Sequence, residues 1–537
     1  MKRILYIFTA CTALMVGCTK DISKVNIDPS QASAENFDAN LLLPSLQYNY
    51  CTGISGYNGP VLFQSMWAQV LASTTTGAAN YYSNADKYVQ SGNTFDYAQR
   101  TWSINYGAAS YAYEIQQLVA SKPELSNLAA AAQIMKVLSL SAVTDIYGDI
   151  PYTEALKAKS DGITTPKYDK QLDVYKSMLS ELDAAVSALS TSKAGPTNDA
   201  FTYKGDVAKW KKFGYSLMLK LAMRLAKGDA ATAKTYAEKA AAGGTFASNA
   251  DNALLYAQNA TGFGSNTAQP FNVPADFYQV RWSKTFIDLL KATNDPRLAV
   301  IAEVPPAGLT ANQDLTLTGD NTIANQRGLP NGYDMNGGPT DITTSAGYPG
   351  GTGSGSDLTP IGKYSRPTAM YRNRDNPYFV LTYAETEFLL AEAAVRGFNV
   401  GGTASAHYAN GLTGALTMFS AYTTAATSVS SGTATTFAAA NPLNTSSTAA
   451  SLKQINEQLW AATGSVMNFL ESWNNWKRSG YPSLTAVNYS GNFSNGQIPR
   501  RQPYPSSESS LNSANYATGV ASLSGGDNWT SKVWWDQ

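Results

Sequence analysis

The sequence predicts a mainly α-helical protein: a helical-repeat scaffold carrying long, irregular, loop-rich insertions. Three observations carry that prediction. Apolar residues recur at steps of three and four through much of positions 38–300. From about 300 to 376 the period vanishes, and Gly, Pro, Asn and Thr dominate. No linker divides the 537 residues cleanly, so one domain is expected over 38–537. Within it the scaffold takes about 38–300, the loop-rich region about 300–376, and C-terminal helices with an irregular tail take 377–537.

The chain opens with Lys2 and Arg3, then an uncharged apolar run from Ile4 to Val16 that is short for a bilayer span. Leu14-Met15-Val16-Gly17-Cys18 closes that run, and Leu-x-x-Gly-Cys resembles the bacterial lipobox. The resemblance implies a signal peptide over 1–17, cut before Cys18, whose thiol and new amine are acylated (palmitate among the chains). Buried acyl chains contribute ~0.8 kcal/mol per CH₂, so an acylated Cys18 is expected to hold the protein at a membrane. Residues 18–37 then form the lipidated cysteine and a polar tether without a period. No later stretch offers about 20 uninterrupted apolar residues.

The helices follow in order. Leu125, Leu128, Ala132, Met135 and Leu138 form one face, which ends before Gly148-Asp149-Ile150-Pro151. Leu172, Tyr175, Leu179, Leu182, Val186 and Leu189 form a second, with Asp169 placed to cap its start. Asp206 is a cap for the helix of Trp210, Phe213, Leu217, Leu221 and Leu225. An Ala-rich helix then runs from Asp229 to Gly243-Gly244. Trp210-x₂-Phe213-Gly214-x₂-Leu217 resembles the first half of a tetratricopeptide repeat, and Gly228, Ala233 and Ala240 match the small positions of its second half. Adjacent helical pairs over 98–242 therefore suit a superhelical scaffold.

In the region 300–376, Tyr333, Tyr348, Tyr364 and Tyr371 favour packed loops over a linker. A helix is expected at 383–396, ended by Gly397, and another over 407–422. Residues 423–450 read as loop, two helices follow near 451–462 and 465–478, and the tail from Tyr481 is irregular.

Composition narrows the function. Lys+Arg and Asp+Glu both total 39, and the leader removes two of the cations, so no basic surface for nucleic acid is expected. The 32 Tyr and 10 Trp against only 15% charged residues suit wet, amphipathic contact surfaces. Beyond Cys11 and Cys18 only Cys51 remains, read as a small buried hydrophobe, so no disulfide is expected.

Catalysis has few candidates. His407 is the sole histidine and so the one base open to a Ser-His or Cys-His pair, but it stands in a low-complexity helix beside Tyr408 with no nucleophile-elbow motif in the chain, and clustered His and Cys for zinc are lacking. Glu385, Glu387, Glu392 and Glu471 could in type serve a glycosidase, but helical positions suggest structural roles, with Glu471 paired to a basic neighbour such as Arg478. Asp and Asn oxygens are plentiful, yet no EF-type calcium loop occurs. Neither catalytic residue, metal nor cofactor is expected. Binding needs aromatic faces with nearby amides and hydroxyls, mounted on loops. Trp67, Tyr81, Tyr82 and Asn84 lie in and after a helix expected to end at Thr74-Thr75-Thr76-Gly77, in a loop (77–97) expected to be exposed. Trp282, Asn331 and Tyr333 form a second set in the irregular centre. Trp102, Tyr106, Trp534 and Trp535 are assigned to packing.

Several further motifs resemble one family. Trp460, Glu471, Trp473, Lys477-Arg478 and Gly480-Tyr481-Pro482 stand in the order of the C-terminal signature of SusD/RagB-type nutrient-binding outer-membrane lipoproteins. Ile498-Pro499-Arg500-Arg501-Gln502-Pro503-Tyr504-Pro505, with Glu508, Asn512 and Tyr516, is similar to that family's P-x-R-x-P-Y-P segment, and Val533-Trp534-Trp535-Asp536 to one branch's closing motif. Asn26-Ile27-Asp28-Pro29, Asp295-Pro296-Arg297, Arg327-Gly328-Leu329-Pro330-Asn331-Gly332 and Ala384-Glu385-x-Glu387-Phe388-Leu389-x-Ala391-Glu392-Ala393 also match. The resemblance implies a single SusD-like domain on a tetratricopeptide-like scaffold. It implies a lipid-anchored, surface-facing protein that captures an oligosaccharide or oligopeptide for a TonB-dependent, SusC-like outer-membrane transporter. Lys20 and Asp21 after Cys18 look like a modest form of the family's surface-export signal. Two other readings stay open: a periplasm-facing helical-repeat adaptor, and a lipoprotein glycoside hydrolase.

Overall fold

A computed structural model of the protein describes residues 37–536 apart from 57, 75–80, 274–279, 307–313, 315, 352–360 and 423–427. The leader, Cys18 and the tether up to residue 36 lie outside the described residues, as does the Asn26-to-Pro29 motif. The fold is mainly α. Its helices are α1 (Leu43–Ser55), α2 (Arg100–Val119), α3 (Ser126–Tyr147), α4 (Gln171–Ala188), α5 (Val207–Arg224), α6 (Ala230–Gly243) and α7 (Lys284–Ala292). After the loop-rich region come α8 (Tyr383–Val395), α9 (Ala404–Thr417), α10 (Ser431–Ala440), α11 (Thr448–Ser465) and α12 (Phe469–Ser479). Successive helices pack side by side: α2 on α3, α4 on α3 and α5, α5 on α6, α8 on α9 and α11, and α11 on α12.

Local chemistry sets the helix ends. Asp206 accepts the Ala208 and Lys209 amides, and Asp229 accepts that of Thr232, each cap contributing ~1 kcal/mol. Asp169 does not cap α4. Its carboxylate takes the Tyr152 and Thr153 amides of the preceding turn at 2.9 and 2.8 Å, and α4 starts after Lys170 with no side-chain cap. The repeat-like glycine has a packing reason: a Cβ on Gly214 would stand 2.2 Å from Val186, so α4 and α5 touch there. The segment Pro123–Tyr147, which includes α3, is apolar and long enough to cross a bilayer, yet 83% of its apolar window is buried inside the protein.

Two expectations fail in the C-terminal half. Residues 423–450, read as loop, contain α10, whose Ala434, Phe437 and Ala438 are buried although its low-charge composition hides the period. Glu471 faces α5, where Arg224 donates to both its oxygens at 2.8 and 2.7 Å and Lys220 lies at 2.8 Å. Arg478, seven residues on and about 10 Å along the helix, instead clamps Glu392 with two 2.7 Å bonds. Lys220 also meets Glu385 at 2.9 Å, and Arg224 meets Asp145 at 3.4 Å. Buried charges thus tie α3, α5, α8 and α12 together.

Strands are few and short. β1 (Leu71–Ser73) pairs antiparallel with β3 (Val280–Trp282), Leu71 opposite Trp282. β2 (Ala253–Tyr256) pairs antiparallel with β4 (Pro377–Leu381). The main core runs through all the helices. A second, smaller core of Ala72, Leu329, Ile342, Ile361 and Tyr364 lies under the loop-rich region.

Candidate functional site

Residues 69–74 and 81–97 meet two irregular segments, 326–348 and 484–497, on one face of the helical body, and polar side chains clamp them. The buried Asp86 accepts the Gly332 amide at 2.7 Å and the Asn331 amide group at 2.5 Å. Asn331 donates also to the Leu71 carbonyl at 2.9 Å and accepts from the Ser283 hydroxyl at 2.8 Å, which fixes the loop to β1 and β3. Burial pushes the Asp86 carboxyl up to about 6, against the pull of Lys87 and its hydrogen-bond donors. Lys87 donates to the Ser83 hydroxyl at 2.7 Å and lies 5.7 Å from the Tyr489 ring centre. Tyr489 in turn donates to Asp334 at 2.5 Å. Burial opposes the Asp334 charge, but Tyr489, the Asn336 amide and Thr340 outweigh it and hold that carboxyl below its ordinary value.

Gln69 completes the clamp. Its amide donates to the Thr485 carbonyl and accepts from the Thr285 hydroxyl at 3.1 Å. Gln69 and Tyr88, whose carbonyl accepts the Phe493 amide at 2.8 Å, both sit in the left-handed region (φ 52° and 59°). Non-glycine residues hold such backbone only where their surroundings enforce it, and such strain gathers at ligand clamps.

Between these segments lies a cleft of about 420 Å³. Pro330, Tyr333, Pro339 and Val487 give it apolar walls, and Thr285, Thr340 and Asn488 give it polar ones. None of the described residues lining it is a carboxylate. An adjoining cleft of about 210 Å³ shares Lys284 and Pro330 and adds Asp288, Lys291, Arg327 and Tyr364. A ring face beside hydroxyls and amides can hold a polar, ring-bearing ligand. Among the described residues, paired carboxylates for acid–base hydrolysis are missing from both lining sets, Asp288 being the single acid. Of the carboxyls that burial pushes upward, Asp199, Glu385 and Glu457 lie elsewhere, and Asp86 is buried behind the cleft wall, bonded to Asn331 and Gly332. Among the described residues no group of three His, Cys, Asp or Glu is placed to hold a metal ion.

The residues selected from sequence part company here. Asn331 and Tyr333 both line the cleft, Tyr333 half-buried against the smaller core, while the Asn331 side chain is spent on the clamp. Trp67 and Trp282 are fully buried. Trp67 sits against Phe63, Trp473 and Trp529, in a short helix (Gln64–Trp67) that gives way to β1 well before Thr74. Trp282 stacks on Phe286 at 4.9 Å and donates to the Ile301 carbonyl at 2.9 Å. Neither ring has a surface to offer a ligand in this conformation. Tyr82 is 4% exposed and packs in the core. The segment expected as an exposed loop contains a helix (Tyr81–Asp86) and buries Ser83, Ala85, Asp86, Lys87 and Tyr88. Tyr81 and Asn84 remain half-buried. Tyr81 lies 5.4 Å from the Tyr97 ring, takes a 3.2 Å bond from Asn93, and shares its segment with Phe95, which is 55% exposed. Sequence reasoning missed Gln69, Thr285, Asn488 and the clamp at Asp86. The run Arg327 to Gly332 was visible as a motif, but nothing local marked the residues it meets. His407 is structural, bonded to Glu387 at 2.8 Å and the Gly401 carbonyl at 2.6 Å, and Cys51 is buried.

Comparison with known proteins agrees with this geometry. The SusD-like family model described as starch-binding and associating with the outer membrane matches residues 31–505. A solved chitin-binding protein is similar at 27% identity and TM-score 0.76, covering 93% of this chain and 100% of its own. A SusD homolog from Bacteroides uniformis is similar at 26% identity and TM-score 0.69, over 92% and 99% of the two chains. A chitin-binding SusD homolog from Flavobacterium johnsoniae shares the fold at 24% identity and TM-score 0.70, over 92% and 98%. No curated protein matches.

Proposed function

The chain belongs to the SusD-like family, and from that premise we propose that it captures a glycan in the cleft between 330–340 and 484–488. The composition of that cleft carries the reading. Tyr333 supplies a ring on which the C–H face of a sugar can pack, and Thr285, Thr340 and Asn488 supply partners for its hydroxyls. The chitin-binding relative at 27% identity supports a glycan over a peptide. Binding without turnover is the natural use of a cleft whose described lining holds no carboxylate.

The finer parts of the reading concern place and partner. The mature domain, 38–537, hangs from an acylated Cys18 by the tether 18–37, after loss of residues 1–17. It faces outward from the outer membrane and delivers its ligand to a TonB-dependent, SusC-like transporter. The tether keeps the domain at high effective concentration beside that transporter while leaving it free to swing. Trp67, Tyr82 and Trp282 lie in the core, whereas Tyr81 and Asn84 are half-buried in the helix whose Asp86 is bonded to the cleft's Asn331 and Gly332. Protease treatment of intact cells tests the orientation: loss of the domain is expected, and full protection would favour the periplasm-facing adaptor. Cys18→Ser should leave glycan binding by the purified domain intact and abolish uptake by cells.

A further inference from the structure

We propose that the cleft continues into a cationic shelf that selects a carboxylated sugar unit, so that the ligand is an acidic glycan; this rests on the glycan-capture reading above. The shelf is the adjoining cleft of about 210 Å³, joined to the first through Lys284 and Pro330. Among the described residues, three cations, Lys284, Lys291 and Arg327, line it against one carboxylate, Asp288. Lys284 and Asp288 form an i,i+4 pair and cancel each other. That leaves Lys291 and Arg327 as the net charge of the described lining.

Both are mounted firmly. Lys291 spends two donors on the Ala324 and Gln326 carbonyls, at 2.7 and 3.0 Å, and an ammonium carries three. Its charge is therefore held in place by neutral acceptors, with no carboxylate paired to it among the described residues. Arg327 is exposed, and its guanidinium makes no ion pair among the described residues. Its backbone is rigid: the amide donates to the Ser365 hydroxyl at 2.8 Å and the carbonyl accepts the Ser365 amide at 2.7 Å. The next residue must be glycine, because a Cβ on Gly328 would stand 2.3 Å from the Ser283 carbonyl and 2.4 Å from Lys284 Cα. That contact brings the Arg327 segment against the start of α7, where Lys284 stands. A neutral sugar gains little from two uncompensated cations. A carboxylate gains a charge-assisted, two-pronged bond from a guanidinium.

Calorimetric titration of the mature domain with oligogalacturonate, neutral chito-oligosaccharides and a glutamate-rich peptide tests this, at low and high salt. Oligogalacturonate is expected to bind most tightly and to weaken as salt rises, since the shelf is solvent-exposed. Arg327→Gln and Lys291→Gln should each weaken it ~10-fold, the size of a hydrogen bond to a charged group, while Arg327→Lys recovers part of the loss. Melting temperatures of all three variants should match wild type, so that a folding defect is not read as a binding one. Equal binding of neutral and acidic glycans, or no response to Arg327→Gln in a folded variant, would overturn the shelf and leave glycan capture standing. Binding of the peptide alone would overturn both readings, as would binding of no glycan at all.

Discussion

The helical body and the loop-built face hold themselves together by different means. In the body, helices pack through apolar stripes and a buried charge network in which each ion meets at least one opposite partner: Arg224 with Glu471 and Asp145, Lys220 with Glu385 and Glu471, Arg478 with Glu392. The face has only a small core of its own. It is fastened by side chains that hydrogen-bond across long sequence separations, Asp86 to Asn331 and Gly332, Gln69 to Thr485, Tyr489 to Asp334. The first arrangement builds a rigid body, and the second shapes a surface. Damage to the body should therefore cost global stability, and damage to the face should act locally or on the ligand.

The largest effect is expected from Trp282→Ala, which empties a fully buried site; a loss of ~3–5 kcal/mol should appear as a sharp fall in melting temperature. Sequence alone suggested the opposite for Trp282, weaker ligand binding at unchanged stability, so this variant divides the two regions directly. Glu471→Ala should cost a similar ~3 kcal/mol, because it removes the closest partner of Arg224 and leaves buried Arg224 and Lys220 with one carboxylate each, Asp145 and Glu385. Chemical denaturation measures it, and a near-neutral result would mean that water reaches the network.

Acid should separate the regions next. Burial opposes the charge of Glu392, but Arg478 and Arg396 outweigh it and hold the carboxyl at about 2, below its ordinary 4.5. Its stabilisation is complete above about pH 4.5 and is lost as pH falls toward 2. Asp86 moves the other way: burial raises it to about 6 from 3.8, so the clamp gains stability as pH falls through that window. Amide exchange at 331–334, corrected for intrinsic rate, should slow between pH 7 and 5 relative to the helices. An unchanged corrected rate between pH 7 and 5 would mean that Asp86 stays charged in the fold. Asp86→Ala should cost a smaller ~1–3 kcal/mol by orphaning the Asn331 and Gly332 donors, with faster exchange confined to the face.

The same contrast explains what the sequence made legible. Helices α3, α4, α5, α6, α8, α11 and α12 repeat an apolar period or carry a cap such as Asp206, and local signals of that kind survive without the rest of the chain. Helix α10 escaped because Ala, Thr and Ser carry little contrast between faces. The pairing of Glu471 with Arg224 spans 247 positions, and nothing near Glu471 distinguishes it from Arg478 as a partner. The cleft was half visible. Tyr333 and Asn331 stand in a motif, but Gln69, Thr285 and Asn488 reach the cleft only through the fold. Aromatic type misled at Trp67, Tyr82 and Trp282, since a large ring serves a core as readily as a ligand.

The smallest predicted change is the most telling. Tyr333→Ala removes a half-buried ring that lines the cleft and rests on the smaller core, and should cost only about 1 kcal/mol of stability. Calorimetric titration of this variant beside wild type, against a panel of neutral and acidic oligosaccharides, tests glycan capture most directly. Wild type should bind at least one glycan, and Tyr333→Ala should bind the same glycan ~5- to 10-fold more weakly, as expected for one lost aromatic contact. A folded Tyr333→Ala variant that binds as tightly as wild type would place the ligand somewhere other than this cleft.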